Sequence, residues 1–187
     1  MKCIAIFASG KGSNAEKIIE HLKGHGSVKV KLIVASNPSA GVISIAHKNK
    51  IISAIVSKGF FGSEEKMTKL LTALQIDGIV LAGFMQLIPD FLIKQFPNRI
   101  INIHPALLPK FGGKGMYGLH VHRAVLAAGE KQSGITIHFV NERYDEGEVI
   151  LQKQLSVATE ETPETLQKKI QQLEHEYLPA VVAQIFG

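Results

Sequence analysis

The chain has 187 residues, 45% of them apolar and 20% charged, with a formal net charge of +5; this suits one domain, residues 1–187, around one core, and excludes disorder, low-complexity tracts and repeat architectures. One cysteine rules out an internal disulfide and fits a reducing compartment. The scattered lysines suit an anionic small substrate better than a nucleic acid, and no apolar window reaches the ~18 residues of a membrane span.

The opening MKCIAIFASG is too short an apolar run for a secretory leader, so a soluble, cytoplasmic protein is expected. Lys2–Ala8 reads as a buried strand with Cys3 as a small core residue. Lys29–Ala35, Ile51–Val56, Gly78–Ala82 and Arg99–Ile103 read the same way, because both faces are apolar. Between them Ser13–Lys23, Gly41–Lys50, Ser63–Gln75 and Pro89–Phe96 carry apolar residues three and four apart, as amphipathic helices do. The alternation predicts a single-domain α/β fold, a mostly parallel twisted sheet with helices on both faces.

Beyond Pro105 the pattern changes to a glycine-rich loop and a helix around Val121–Ala128. Two runs come next, Gly134–Val140 and Val149–Val157, which predict an antiparallel extension of the sheet. A last helix, about Pro163–Ile185, closes the chain with Leu166, Ile170, Leu173 and Tyr177 on one stripe.

Strand one runs straight into ASGKGSNAEKII. Gly10 and Gly12 permit a tight turn, and Ser13 with Glu16 matches the S-x-x-E capping box. The spacing fits neither the nucleoside-triphosphate loop nor the dinucleotide fingerprint, in the second of which Ala15 stands where a third glycine belongs. Gly12, Ser13 and Asn14 at a helix start would hold a single phosphate, and a plain turn with a cap is the alternative.

In INIHPALLP, Asn102 and His104 leave the fifth strand on one face at its carboxyl end, where ligands bind in open α/β sheets. An amide donor beside an imidazole suits acyl transfer, although both side chains could simply finish the strand. Asp145, in the turn NERYDEGEV, could fold back, orient His104 and favour its protonated form. Cys3 looks buried and no nucleophile elbow is present, which favours direct transfer to a substrate nucleophile. His120 and His122, two apart on a helix, face different ways and read as surface or supporting residues, so no metal is expected.

The segments ASGKGSN, LAGFMQLIP, INIHPALLPKF and YDEGEVILQ, in this order, resemble the phosphoribosylglycinamide formyltransferase family of folate-dependent formyltransferases, over almost the whole chain. The resemblance implies 10-formyltetrahydrofolate as co-substrate and glycinamide ribonucleotide as acceptor, within purine biosynthesis. It makes Asn102, His104 and Asp145 the catalytic trio, puts Gly12, Ser13 and Asn14 on the phosphate and Glu174 on the glycinamide end, and sets Met85, Gln86, Leu87 and Ile88 with Asn102 along the folate. Gln86 stands where an arginine is common, KGFFGSEE lacks a basic residue that some members use for folate, and FGGKGMYG is a few residues longer, a flexible loop whose Lys114 could reach an anion. Formyltetrahydrofolate hydrolase and methionyl-tRNA formyltransferase are rivals that would call for further domains, and a non-catalytic nucleotide-binding module is a third reading. Monomer and homodimer both fit.

Overall fold

The computed structural model describes residues 1–187. Its elements run β1 (Lys2–Ala8), α1 (Ser13–Leu22), β2 (Val28–Ala35), α2 (Val42–Lys48), β3 (Ile52–Ile55), α3 (Lys58–Phe61) and α4 (Glu64–Ala73). Then come β4 (Gly78–Leu81), α5 (Asp90–Gln95), β5 (Ile100–His104), α6 (Leu119–Ala127), β6 (Gln132–Phe139), β7 (Val149–Ser156) and α7 (Pro163–Phe186). The strands form one sheet in the order β3-β2-β1-β4-β5-β6-β7. The first five are parallel, and β6 and β7 extend the sheet antiparallel.

Period-two alternation splits the core into two layers. Ile4 and Ile6 of β1 point to one face and pack with Ile18 of α1 and Ile170 and Leu178 of α7. Ala5 and Phe7 point to the other, against Met67 and Leu71 of α4 and Leu92 of α5. This double cover is why Cys3–Ala8 reads as an unbroken apolar run and is buried throughout. No helix is long and apolar enough to cross a membrane.

Two features depart from the sequence expectation. Ile51–Val56 is as apolar as a central strand, yet β3 lies at the sheet edge, with Ile52 50% and Ile55 52% exposed. The single turn α3 was not anticipated, because four residues show no helical period; the Ser57 hydroxyl caps it by accepting the Phe60 N–H at 3.2 Å. The other predicted elements lie within two residues of their observed bounds.

Candidate active site

β1 and β4 are neighbours, while β2 and β3 lie to one side of them and β5 to the other. The connections after β1 and β4 therefore diverge and leave a crevice beyond the carboxyl ends of the strands. A cavity of about 630 Å³ opens there, walled by the turn after β1, the segment after β4, the end of β5, the 113–118 loop, the β6–β7 turn and one face of α7.

Gly12 ends the turn after β1 with φ +83°, and a Cβ built on it would meet Val42 Cβ at 2.7 Å. Both the left-handed backbone and the close approach of α2 require glycine. Gly12, not Ser13, is the N-cap of α1, and no side chain caps this helix. The expected Ser13–Glu16 capping box is therefore not formed. Ser13 already has helical geometry and its Oγ accepts the Gln171 Nε2–H at 2.9 Å, while Glu16 pairs with Lys48 at 3.3 Å. The first backbone N–H groups of α1 have no intrahelical partners and stand at the cavity wall, where they can serve an anion.

Asn14 Nδ2 donates to Glu174 Oε2 at 2.8 Å, joining α1 to α7, and Asn14 Oδ1 is buried with no partner. Burial pushes the Glu174 carboxyl above its ordinary value, and the Asn14 bond offsets this only in part.

On the opposite wall the ends of β5 and β6 and the β6–β7 turn carry one connected polar cluster. Asn102 pairs directly across the antiparallel ladder with His138. His138 Nδ1 lies 2.8 Å from the Phe139 carbonyl and so carries the proton. Its Nε2 lies 3.1 Å from the Asn102 amide nitrogen and 3.6 Å from Asp145 Oδ1, so the neutral ring accepts from Asn102 and the doubly protonated ring donates to Asp145. Asn102 Nδ2 also donates to Asp145 Oδ1 at 3.3 Å. Asp145 has φ +57°, accepts the Gly113 N–H on Oδ2 at 2.9 Å, and lies 3.4 Å from His104 Nδ1 with the same oxygen. His104 Nε2 lies 2.8 Å from the Phe111 carbonyl.

Both nitrogens of His104 thus face oxygens, an arrangement an imidazolium fills completely. Burial acts the other way and is the larger effect. The ring is 3% exposed, and its pKa falls below the ordinary histidine value despite the Asp145 charge and the Phe111 carbonyl, with His138 depressing it further. Asp145 acts in the expected direction, favouring the protonated ring, and burial outweighs it. For Asp145 burial also opposes charge, but the His138 ring, the charge of His104 and the Gly113 N–H hold its carboxyl below the usual range. Together these groups present hydrogen-bond donors and a carboxylate around one point, which is what stabilising an oxyanion and moving a proton require.

Residues 2–182 match the formyl transferase family. The chain belongs to that family. It is 43% identical to the chloroplastic phosphoribosylglycinamide formyltransferase of Arabidopsis thaliana, over 98% of this chain and 65% of the relative, so it spans just under two-thirds of that protein's length. To the phosphoribosylglycinamide formyltransferase of Bacillus subtilis (strain 168) it is 38% identical over 100% of this chain and 96% of the relative. The structure of glycinamide ribonucleotide transformylase 1 from Geobacillus kaustophilus superposes with a TM-score of 0.90 at 35% identity, covering 100% of both chains.

In this family member all the residues that the resemblance assigns to catalysis or binding lie on the one cavity: Gly12, Ser13, Asn14, Met85, Gln86, Leu87, Ile88, Asn102, His104, Asp145 and Glu174. Within the 85–88 segment Met85 and Leu87 are exposed, and Ile88 turns down into the core as well as lining the cavity.

Two supporting residues, His138 and Thr136, escaped the sequence reading, and a third, His122, was read there only as a surface or supporting histidine. His138 lies in an apolar strand where nothing but its pairing with Asn102 marks it. Thr136, fully buried opposite His104, donates to the Ala106 carbonyl at 2.7 Å and accepts the Leu108 N–H at 3.0 Å, fixing the turn beyond β5. His122 is 2% exposed with its Nδ1 unpartnered; burial and the charge of His104 lower its pKa to about 4. His120 is exposed, and no group of three or more His, Cys, Asp or Glu side chains could hold a metal ion.

Proposed function

We propose that this formyl transferase moves the formyl group of 10-formyltetrahydrofolate to the amine of glycinamide ribonucleotide, giving formylglycinamide ribonucleotide and tetrahydrofolate. The observation that carries this reading is that an uncapped helix start suited to a phosphate, the half-buried Glu174 carboxyl and the Asn102–His104–Asp145 cluster all line one cavity. A substrate with a phosphate at one end and an amine at the other matches those two poles.

The ribonucleotide phosphate sits on the N–H groups of Gly12, Ser13 and Asn14, and Glu174 contacts the glycinamide end. The donor lies along Met85–Ile88, with its formyl carbon beside Asn102 and His104. The amine attacks that carbon, a C–N bond forms, and the formyl oxygen becomes an oxyanion. In this structure His104 Nε2–H is directed at the Phe111 carbonyl and the Asn102 amide at Asp145 and His138. The oxyanion, a stronger acceptor, draws these donors to itself. Asp145, through water, relays the amine proton to the folate nitrogen, and the bond from the formyl carbon to that nitrogen breaks.

Following the absorbance of a 10-formylfolate donor with and without glycinamide ribonucleotide tests this. Deformylated folate formed only with the ribonucleotide present is the expected result. Equal release without it would make the chain a hydrolase, and no release with intact ribonucleotide binding would make it a binding module.

A further inference from the structure

β1, β2 and β4 are neighbours in the sheet, and one side chain ties together the segments that leave all three. Ser9 donates its backbone N–H to the Gly83 carbonyl at 3.0 Å and accepts the Met85 N–H on its Oγ at 3.2 Å. The same Oγ lies 2.8 Å from Ser36 Oγ, just beyond β2. A serine hydroxyl has one donor and two acceptor positions, so Ser9 satisfies both partners whichever serine donates.

The segments it joins serve opposite ends of the cavity. Ser9 leads directly into the turn Gly10–Gly12 at the start of α1, and Met85 opens the exposed part of the segment after β4. From Phe84 to Ile88 the backbone makes no hydrogen bond to other backbone, and the Met85 N–H is its one polar tie to the sheet. Apolar contacts hold its flanks: Phe84 packs edge-on against Phe7 and Phe61, with centroids 5.4 and 5.1 Å apart, and Ile88 is buried. The other N–H and C=O groups of the segment are left unpaired at a cavity wall, where a planar heterocycle with donors and acceptors on its edge can use them.

We propose that Ser9 is a positioning residue for the donor side of the site: its hydroxyl fixes the Met85–Leu87 backbone relative to the phosphate turn, so that a reduced folate binds in register with the acceptor. This rests on the formyl-transfer reading above. Ser9 touches neither substrate and acts through the Met85 N–H.

The test is steady-state kinetics of Ser9→Ala, Ser9→Thr and Ser36→Ala, together with calorimetric titration of tetrahydrofolate. In Ser9→Ala the donor KM and the tetrahydrofolate Kd rise about 3- to 10-fold, the loss expected for one hydrogen bond. The acceptor KM and kcat stay within about twofold, a change too small to count as a lost bond. Ser9→Thr keeps the hydroxyl and restores donor affinity, and Ser36→Ala, which leaves the Met85 bond intact, changes it little. Ser9→Cys, nearly isosteric with a weak acceptor, gives the same readout should the alanine variant fold poorly. Unchanged donor affinity in Ser9→Ala, an equal rise in both KM values, or equal losses in Ser9→Ala and Ser36→Ala would overturn the assignment. An unmodified protein that neither transfers formyl nor binds tetrahydrofolate would instead overturn the function reading.

Discussion

His104 and Asp145 sit 3.4 Å apart with little solvent between them, so each tunes the other while burial works against both charges. Replacing Asp145 with Asn keeps the shape and removes the charge. Asp145→Asn and His104→Ala are each expected to lower kcat by about 10²–10³, the usual loss for one oxyanion-stabilising group, with ribonucleotide binding by calorimetry preserved. Loss of binding in step with rate would make these residues structural. His122 gives a second expectation. Its folded pKa of about 4 lies below the ordinary histidine value of 6.5, so between those values the unfolded chain binds more protons than the folded one. The stability that His122 contributes is present above pH ~6.5 and drains away as pH falls toward ~4, by something on the order of 3 kcal/mol. Urea unfolding of His122→Gln should show a shallower loss across that window than the unmodified chain; parallel pH profiles would refute the assignment.

Among the elements, β6 depends on a residue with no side chain. A Cβ on Gly134 would meet Leu107 Cδ2 at 2.7 Å and the Gln154 backbone Cα at 2.9 Å, so neither β7 nor the turn after β5 leaves room. Gly134→Ala should therefore destabilise by about 1–3 kcal/mol, lowering Tm by roughly 2–4 °C per kcal/mol. A Tm equal to that of the unmodified chain would show that β7 yields at no cost. Element identity was legible in sequence because the two periodicities differ: Ile4, Ala5, Ile6 and Phe7 are apolar on both faces, whereas Leu166, Ile170 and Leu173 recur at helical spacing. What periodicity could not report was position across the sheet, so β3 looked central. Nor could it report local capping: Ser13 and Glu16 have the right spacing, but the left-handed Gly12 shifts the helix start by one residue. Asn102, His104 and Asp145 were legible because each breaks an apolar or turn pattern with a chemically specific side chain. His138 and Thr136 were not, since their meaning lies in cross-strand neighbours more than thirty residues away.

At the scale of the molecule, the cavity is closed by joining the two ends of the sequence. Asn14 on α1 meets Glu174 on α7, and Gln171 reaches Ser13 one turn earlier. Glu174 is held in surroundings that favour its neutral form: its folded pKa is raised, so the stability linked to it is full below its ordinary value of 4.5 and is lost as pH rises through the folded pKa. Above its ordinary value the group therefore weighs on the fold, whether it takes up a proton or keeps its charge in these surroundings. Glu174→Gln should raise the Tm of the unliganded protein at pH 7.5, by about 2–4 °C if 1 kcal/mol is relieved, while weakening ribonucleotide binding. A fall in both would mean that Glu174 supports the fold. The same joint orders events at synthesis. β1 supplies the middle of the sheet from the first eight residues, but Gln171 and Glu174 are on the last helix. A chain growing at about 5–20 residues per second can build most of the sheet before α7 leaves the ribosome. A complete cavity is thus the last feature to appear, and a nascent or prematurely ended chain carries the Asn102–His104–Asp145 cluster without the wall that α7 supplies.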